Sequence, residues 1–135
     1  MRDNRSMPAC TVIPELAYTD VREAAEWLAR AFGFRTRLRI GDHRIQMHAG
    51  DGAIVVVEGG GGPVAPQAVL MRVADVDAHT ARARDAGATV LRPPVTYPYG
   101  ERQCSLVDPG GHVWTFSESV ADVDPADWGG ELVEP

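Results

Sequence analysis

The chain has few of the features that mark membrane, secreted and nucleic-acid-binding proteins. Its 135 residues include no apolar run near the roughly 18 residues of a transmembrane helix, and no signal-peptide core follows the first arginines. Thirteen basic residues against nineteen acidic ones give a net charge of -6, which disfavours binding to nucleic acid or an anionic membrane. These absences predict a cytoplasmic protein without nucleic-acid or membrane partners.

Cysteine and catalytic signatures are also scarce. Cys10 and Cys104 are far apart, outside any CxxC or Cys/His cluster, so neither a disulfide framework nor a zinc knuckle is expected. The sequence contains no GxSxG motif, and the glycine run 59–62 lacks the Lys-Ser/Thr and helix of a phosphate loop. We therefore predict no catalytic residues.

The first half has the pattern of one strand, one helix and three further strands. The first strand is expected over residues 11–18. Thr19 or Asp20 is expected to cap the helix, with Glu23 three residues after Asp20 in capping-box position, and Gly33 ends the helix. Period-2 patterning and turn residues predict the later strands at 34–40, 43–49 and 53–58.

The second half repeats this order after a glycine- and proline-rich linker at 59–66. Asp75 and Gly87 bound its helix. Strands are expected at 67–73, at 88–91 and in a hairpin over 102–118 that turns at Asp108-Pro-Gly-Gly. The sequence thus predicts one α+β domain over 1–135, with βαβββ units at 10–60 and 67–119 and an acidic tail at 120–135.

A unit with one helix can cover only one face of its sheet. Two tandem units are therefore expected to form a curved mixed sheet around a ligand cavity, with the helices on the outer face. Strand alternation sorts the side chains between these faces. The helix side should hold Ile45, Met47, Val55, Val57, Cys104, Leu106, Trp114 and Phe116. The cavity side should hold Ile13, Glu15, Ala17, Arg44, Gln46, His48, Ile54, Val56, Glu58, Ala68, Leu70, Arg72, Gln103, Ser105, Val107, Val113, Thr115 and Ser117.

Several local motifs accompany this order. They are Ala31-Phe-Gly-Phe34, Val73-Ala-Asp-Val-Asp77, Asp85-Ala-Gly-Ala88, and Tyr99-Gly-Glu-Arg102 leading into Asp108-Pro-Gly-Gly-His-Val-Trp114. Together they resemble the glyoxalase/bleomycin-resistance/extradiol-dioxygenase superfamily over about residues 10–119. That superfamily holds metal enzymes and metal-free drug binders alike, so the resemblance implies the fold more than the function.

The resemblance also implies where a metal would bind. Metal-dependent relatives place His, Gln or Glu ligands on the inner face of the first and last strand of each unit. These positions fall on Ile13, about Val56, Ala68 and Thr115, which are not competent ligands for a divalent cation. We therefore expect a protein of the bleomycin-resistance type that sequesters a drug or antibiotic, with no metal and no cofactor.

Two alternatives stay open at this point. One is a metal-dependent enzyme of the same superfamily, a lyase, isomerase or dioxygenase using Glu58 and His48 with Glu15 or Glu118. The other is a non-catalytic interaction module. His43 and His79 are expected at the exposed surface and His112 in the hairpin turn, since lone histidines are usually not ligands.

The preferred reading predicts an amphipathic or aromatic small molecule as the partner. Tyr97 and Tyr99 would roof the cavity from a proline-rich loop, where rigid aromatic rings suit planar ligands. The predicted ligand contacts are Arg44, Gln46, His48, Glu58, Tyr97, Tyr99, Gln103, Ser105 and Thr115. The resemblance implies a homodimer, and the 59–62 linker would permit domain swapping. Trp128 is expected either at the subunit interface or loose in the tail.

Overall fold

The computed structural model describes residues 1–134; the end of the predicted tail, Pro135, lies outside the described residues. The chain divides into two compact units, the first formed by Met1–Gln67 and Pro109–Gly111. Ala68–Asp108 and the chain from His112 onward form the second. Over residues 1–134, no helix is both long and apolar enough to cross a membrane.

The first unit contains helix α1 and four strands. Its elements are β1 (Glu15–Tyr18), α1 (Val21–Phe32), β2 (Arg35–Ile40), β3 (Arg44–Ala49) and β4 (Gly52–Glu58). The strand order is β1-β4-β3-β2, with β1 parallel to β4 and the other pairs antiparallel. The Asp20 carboxylate accepts the Glu23 N–H at 3.0 Å, and Gly33 ends the helix with a φ of 76°. Both helix boundaries predicted from the sequence are confirmed.

The second unit repeats this arrangement. Its elements are β5 (Ala68–Arg72), α2 (Val76–Asp85), β6 (Thr89–Thr96), β7 (Glu101–Val107) and β8 (Val113–Ser119), with a 3₁₀ turn at Pro125–Trp128 in the tail. The strand order is β5-β8-β7-β6, and β5 runs parallel to β8. The predicted α+β class with tandem βαβββ units is confirmed.

Two strands differ from their predicted bounds by more than one residue at an end, in both cases near proline. β1 begins only after Pro14, whose carbonyl accepts the Val55 N–H at 2.9 Å. β6 was expected to end at Leu91 but continues through Pro93 and Pro94. It is an edge strand with two register shifts against β7, and proline is tolerated there because the ladder can do without its N–H.

The side-chain faces of the second sheet were predicted correctly. Cys104 pairs with Phe116 and Leu106 with Trp114, and all four are buried. The Phe116 ring contacts the His79 ring of α2, with centroids 4.0 Å apart, so this face packs on the helix. The predicted helix-side position of Trp114 and Phe116 is confirmed, and Trp27 and Phe32 of α1 are buried as well.

The faces of β4 were predicted wrongly. Ile54 and Val56 lie opposite Met47 and Ile45, so they belong to the same face as these core residues. Val55 and Val57 take the other face, opposite Gln46 and Arg44. Glu58 has the parity of Val56 and was therefore assigned to the wrong side of the sheet.

The cause of this error is the length of the hairpin turn. Residues 49–52 separate the paired residues His48 and Ala53, whereas residues 108–112 separate Val107 from Val113, one residue more. An alignment of the two halves without a gap therefore shifts β4 by one position. A shift of one residue moves every side chain to the opposite face.

One histidine lies deeper than predicted, and another is fully buried in its predicted place. His79 is half-buried on Phe116 rather than exposed. His112 is in the turn, as predicted, and is fully buried.

Asp108, itself buried, organises this turn. One of its carboxylate oxygens accepts the His112 N–H and the other accepts the Trp114 indole N–H, both at 3.0 Å. The Asp-Pro-Gly-Gly turn thus also fixes a core tryptophan.

Candidate ligand-binding site

The face of the second sheet opposite α2 is polar and partly exposed. On it, Ser105 and Thr115 lie opposite each other with their hydroxyl oxygens 2.8 Å apart. Gln103 and Ser117 form the next pair, and the Gln103 amide donates to the Ser117 hydroxyl at 3.0 Å. Leu70 of β5, whose side chain is exposed, lies beside Thr115 of β8. This face offers donors, acceptors and apolar surface to a ligand.

The hydrogen bonds on this face form a directed chain. The Tyr99 hydroxyl donates to Gln103 at 3.0 Å, Gln103 donates to Ser117, and Ser117 donates to the Glu101 carboxylate at 2.7 Å. Bonds that all point toward one carboxylate polarise one another and hold the side chains in fixed orientations. The chain therefore preorganises this part of the sheet face.

Glu101 is the acidic end of the chain. Hydrogen bonds from Ser119 and Ser117 lower the pKa of its carboxyl, with Arg72 adding a smaller effect in the same direction, whereas desolvation opposes the shift. Arg72 in turn donates to the Ser119 hydroxyl at 3.2 Å. Glu101 therefore stays ionised at neutral pH. It was not predicted as a site residue, although its parity matches that of Gln103.

Tyr99 is positioned by a tight turn between β6 and β7. The Gly100 N–H donates to the Tyr97 carbonyl at 3.0 Å and the Tyr97 N–H to the Glu101 carbonyl at 2.8 Å. The rings of Tyr97 and Tyr99 are parallel, with centroids 5.3 Å apart. Trp128 is not loose in the tail: its ring packs edge-on against Tyr99, with centroids 5.7 Å apart.

On the equivalent face of the first sheet, the N-terminal segment, residues 1–10, covers Gln46, whereas Glu15, Ala17 and Val57 line a pocket of about 310 Å³. The Gln46 amide donates to the Ser6 carbonyl at 2.7 Å, and only 2% of Gln46 is exposed. Arg37 joins Gln46 to the Arg5 carbonyl through bonds of 2.6 and 3.1 Å. Gln46 thus lies on the predicted face but is not open to a ligand.

The remaining predicted contacts of the first unit are separated from one another. Arg44 is 3.5 Å from the Glu15 carboxylate in a partly exposed ion pair. His48 lies four residues further along β3, opposite Ala53. Glu58, at the exposed end of β4, has the parity of the helix side and does not join them.

The residues at the family's metal positions do not fit a metal. With the register corrected, Val55 replaces Val56 as the equivalent of Thr115, because Glu15 pairs with Val55 as Leu70 pairs with Thr115. Ile13, Val55 and Ala68 have no donor atom, and a lone threonine hydroxyl is a poor ligand for a divalent cation. Within residues 1–134, no three His, Cys, Asp or Glu side chains come together as a metal site would require.

The fold and this site define a class of proteins in which tandem βαβββ units each cover one sheet face with a helix. The family model of the Glyoxalase/Bleomycin resistance protein/Dioxygenase superfamily matches residues 11–116. The chain belongs to this superfamily.

Individual relatives agree with this assignment. The crystal structure of TioX from Micromonospora sp. ML1 is 35% identical, with a TM-score of 0.75 over 82% of this chain and 99% of that one. A lactoylglutathione lyase from Agrobacterium tumefaciens shares the fold at 16% identity and a TM-score of 0.67, over 82% and 94% of the two chains. The Mycobacterium bovis protein Mb0911c is 37% identical over 59 residues, which are 44% of this chain and 39% of that protein.

Proposed function

We propose that the protein binds an amphipathic or aromatic small molecule and sequesters it without a metal and without chemical conversion, in the manner of a bleomycin-resistance protein. The observation that carries this proposal is the open face of the second sheet. There, a fixed set of amide and hydroxyl groups borders exposed apolar surface, and Thr115 stands where metal-dependent relatives carry a ligand.

The polar side chains of the open sheet face are already ordered for binding a ligand. Gln103, Ser105 and Thr115 are held by hydrogen bonds to one another or to neighbours on the same face, so a ligand need not order them. Tyr99 is held in the same way and stacks with Tyr97, which suits a planar ligand group. Ser105 bonds a threonine rather than a base, so the pair has no activated nucleophile.

The assembly and location belong to the same proposal. A second copy of the chain would enclose the open face in a homodimer, with exchange of units through the glycines at 59–62 as one way of forming it. Arg44 and His48 would then add contacts from the first unit. We propose that the protein acts in the cytoplasm. Light scattering at micromolar concentration should give twice the chain mass; a monomer would contradict the dimer.

Isothermal titration calorimetry with bleomycin, actinomycin D and daunorubicin tests the binding. We expect saturable binding of at least one compound, recovered with unchanged mass. Gln103→Leu and Thr115→Val should weaken that binding by roughly 5- to 30-fold, since each removes one or two hydrogen bonds. The matched control Thr36→Val, on an exposed position of β2, should bind as the wild type does. Binding of none of the three compounds, or recovery of an altered compound, would contradict the proposal.

A further inference from the structure

A groove lies between the Tyr99 turn, residues 97–101, and the C-terminal segment, residues 120–128. Its volume is about 480 Å³. Tyr99 and Trp128 supply aromatic surface, and the Trp128 indole N–H donates to the Val123 carbonyl at 3.4 Å. The lining residues are Tyr99, Glu101, Ser119, Val120, Ala121, Asp122, Val123, Pro125 and Trp128.

The groove is fixed by the backbone at Gly100. Its carbonyl accepts the N–H groups of Val120 at 2.8 Å and Ala121 at 3.2 Å, which tie the C-terminal segment to the turn. Gly100 has a φ of 83°, and a Cβ at this position would overlap the Ala121 carbonyl. Only glycine allows the backbone at residue 121 to approach the turn this closely. The groove is therefore formed before any ligand arrives.

The charges of the groove have one sign. Glu101 and Asp122 are its ionisable carboxylates, and the described residues that line it include no lysine, arginine or histidine. Arg72 influences Glu101 but is not a lining residue. An aromatic face beside a carboxylate attracts a cation in two ways, through the ring quadrupole and through charge.

We infer that this groove binds an organic cation, an ammonium or guanidinium group carried on an apolar body. The cationic group would lie between the Trp128 ring and the Glu101 carboxylate, and the apolar body along Val120, Val123 and Pro125. An anion would meet the two carboxylates and be repelled. The groove is distinct from the sheet face of the proposed function, although Tyr99 and Glu101 border both, and this inference does not require that function.

The direct test is calorimetry on the full chain with three probes of similar shape and different charge: 3-phenylpropylammonium, 3-phenylpropanol and 3-phenylpropionate. The ammonium compound should bind saturably, and the alcohol about 5- to 30-fold more weakly, the range that a cation–aromatic contact of 1–2 kcal/mol gives. The carboxylate should show no binding. Equal affinity for all three probes, or no binding of the ammonium compound, would overturn the inference.

Variants locate the site. Glu101→Gln and Trp128→Leu should each weaken ammonium binding about 5- to 30-fold, while Trp128→Phe, which keeps an aromatic face, should lose less. Asp127→Asn removes an exposed charge outside the groove and should bind as the wild type does. Amide NMR shifts on binding should concentrate at 99–101 and 119–128. Unchanged affinity in both Glu101→Gln and Trp128→Leu, or shifts confined to other residues, would refute this location.

The same experiment separates this inference from the proposed function. Thr115→Val should weaken binding of the antibiotic compounds and leave ammonium binding within about twofold, because Thr115 bonds Ser105 outside the chain from Tyr99 to Glu101 and does not line the groove. Ammonium binding that survives a failed antibiotic panel would support the groove alone. Loss of ammonium binding in Thr115→Val, with the fold intact by circular dichroism, would contradict a separate site.

Discussion

The side-chain amide of Gln46 donates a 2.7 Å hydrogen bond to the backbone carbonyl of Ser6, forty residues earlier in the chain. Because Gln46 also accepts from Arg37, one buried amide holds the N-terminal segment on the first sheet. The equivalent residue of the second sheet, Ser105, remains partly exposed. Equivalent positions of two units with the same topology are therefore covered at Gln46 and open at Ser105.

Replacing Gln46 by alanine should release the N-terminal segment. The change leaves the Ser6 carbonyl and the Arg37 guanidinium without this partner, so we expect the free energy of unfolding to fall by about 1–3 kcal/mol. Hydrogen exchange at residues 4–8 should accelerate. Gln103→Ala, which alters the open face of the other sheet, is the control and should leave this exchange unchanged. Protection that persists in Gln46→Ala would show that other contacts hold the segment.

Glu118 should stabilise α2 from outside the helix. Its carboxylate accepts the Val76 N–H at 2.8 Å, at the positive end of the helix dipole. Glu118→Ala should lower the free energy of unfolding in urea by about 1 kcal/mol, as loss of an N-cap does. The matched control is Glu58→Ala at the equivalent, exposed position of β4, which should change stability by less than about 0.5 kcal/mol. Equal effects of the two substitutions would argue against the capping role.

Gly100→Ala should detach the C-terminal segment. The new Cβ would overlap the Ala121 carbonyl, and the backbone already has a positive φ, so we expect a loss of more than about 2 kcal/mol. The amides of Val120 and Ala121 should lose protection from exchange. Gly111→Ala is the matched control. Gly111 also has a positive φ, of 92°, but a Cβ there would meet no atom within 4 Å, so only the backbone strain of about 1 kcal/mol is expected. Similar losses in both variants would contradict the close approach at Gly100.

Stability should fall in mild acid because of His79. Burial, and secondarily the charge of Arg82, lower the pKa of this imidazole below its ordinary value of about 6.5. The unfolded chain therefore takes up a proton more readily than the folded one, and the free energy of unfolding decreases as the pH falls below about 6.5. His79→Gln should flatten this dependence in urea titrations at pH 7.5 and 5. An equally steep dependence in the variant would assign the effect to another group.

The sequence was sufficient to predict the direction of the side chains where one face of a strand is apolar and the other is polar. On β7, Gln103 and Ser105 alternate with Cys104 and Leu106, so the faces could be predicted correctly. On β4, residues 53–57 are all apolar, and no alternation shows which of them face the helix. The error at Glu58 follows from this, because its side was inferred only from the alignment with the other hairpin.

The two docked termini could not have been predicted from local patterns. Residues 1–10 have no strand or helix period, and their position depends on Gln46 and Arg37, which are distant in sequence. The place of Trp128 depends on Gly100, whose positive φ permits the C-terminal segment to approach. Glycine in a turn is common, so this one gave no sign that a distant segment would pack against it.

Native mass spectrometry of the protein with the compound that binds in calorimetry distinguishes metal-free sequestration from metal-dependent conversion. We expect the mass of the folded chains plus the intact compound, with no added metal, after purification in chelator-free buffer. A complex that carries one divalent metal per site, or a compound whose mass has changed, would contradict metal-free sequestration.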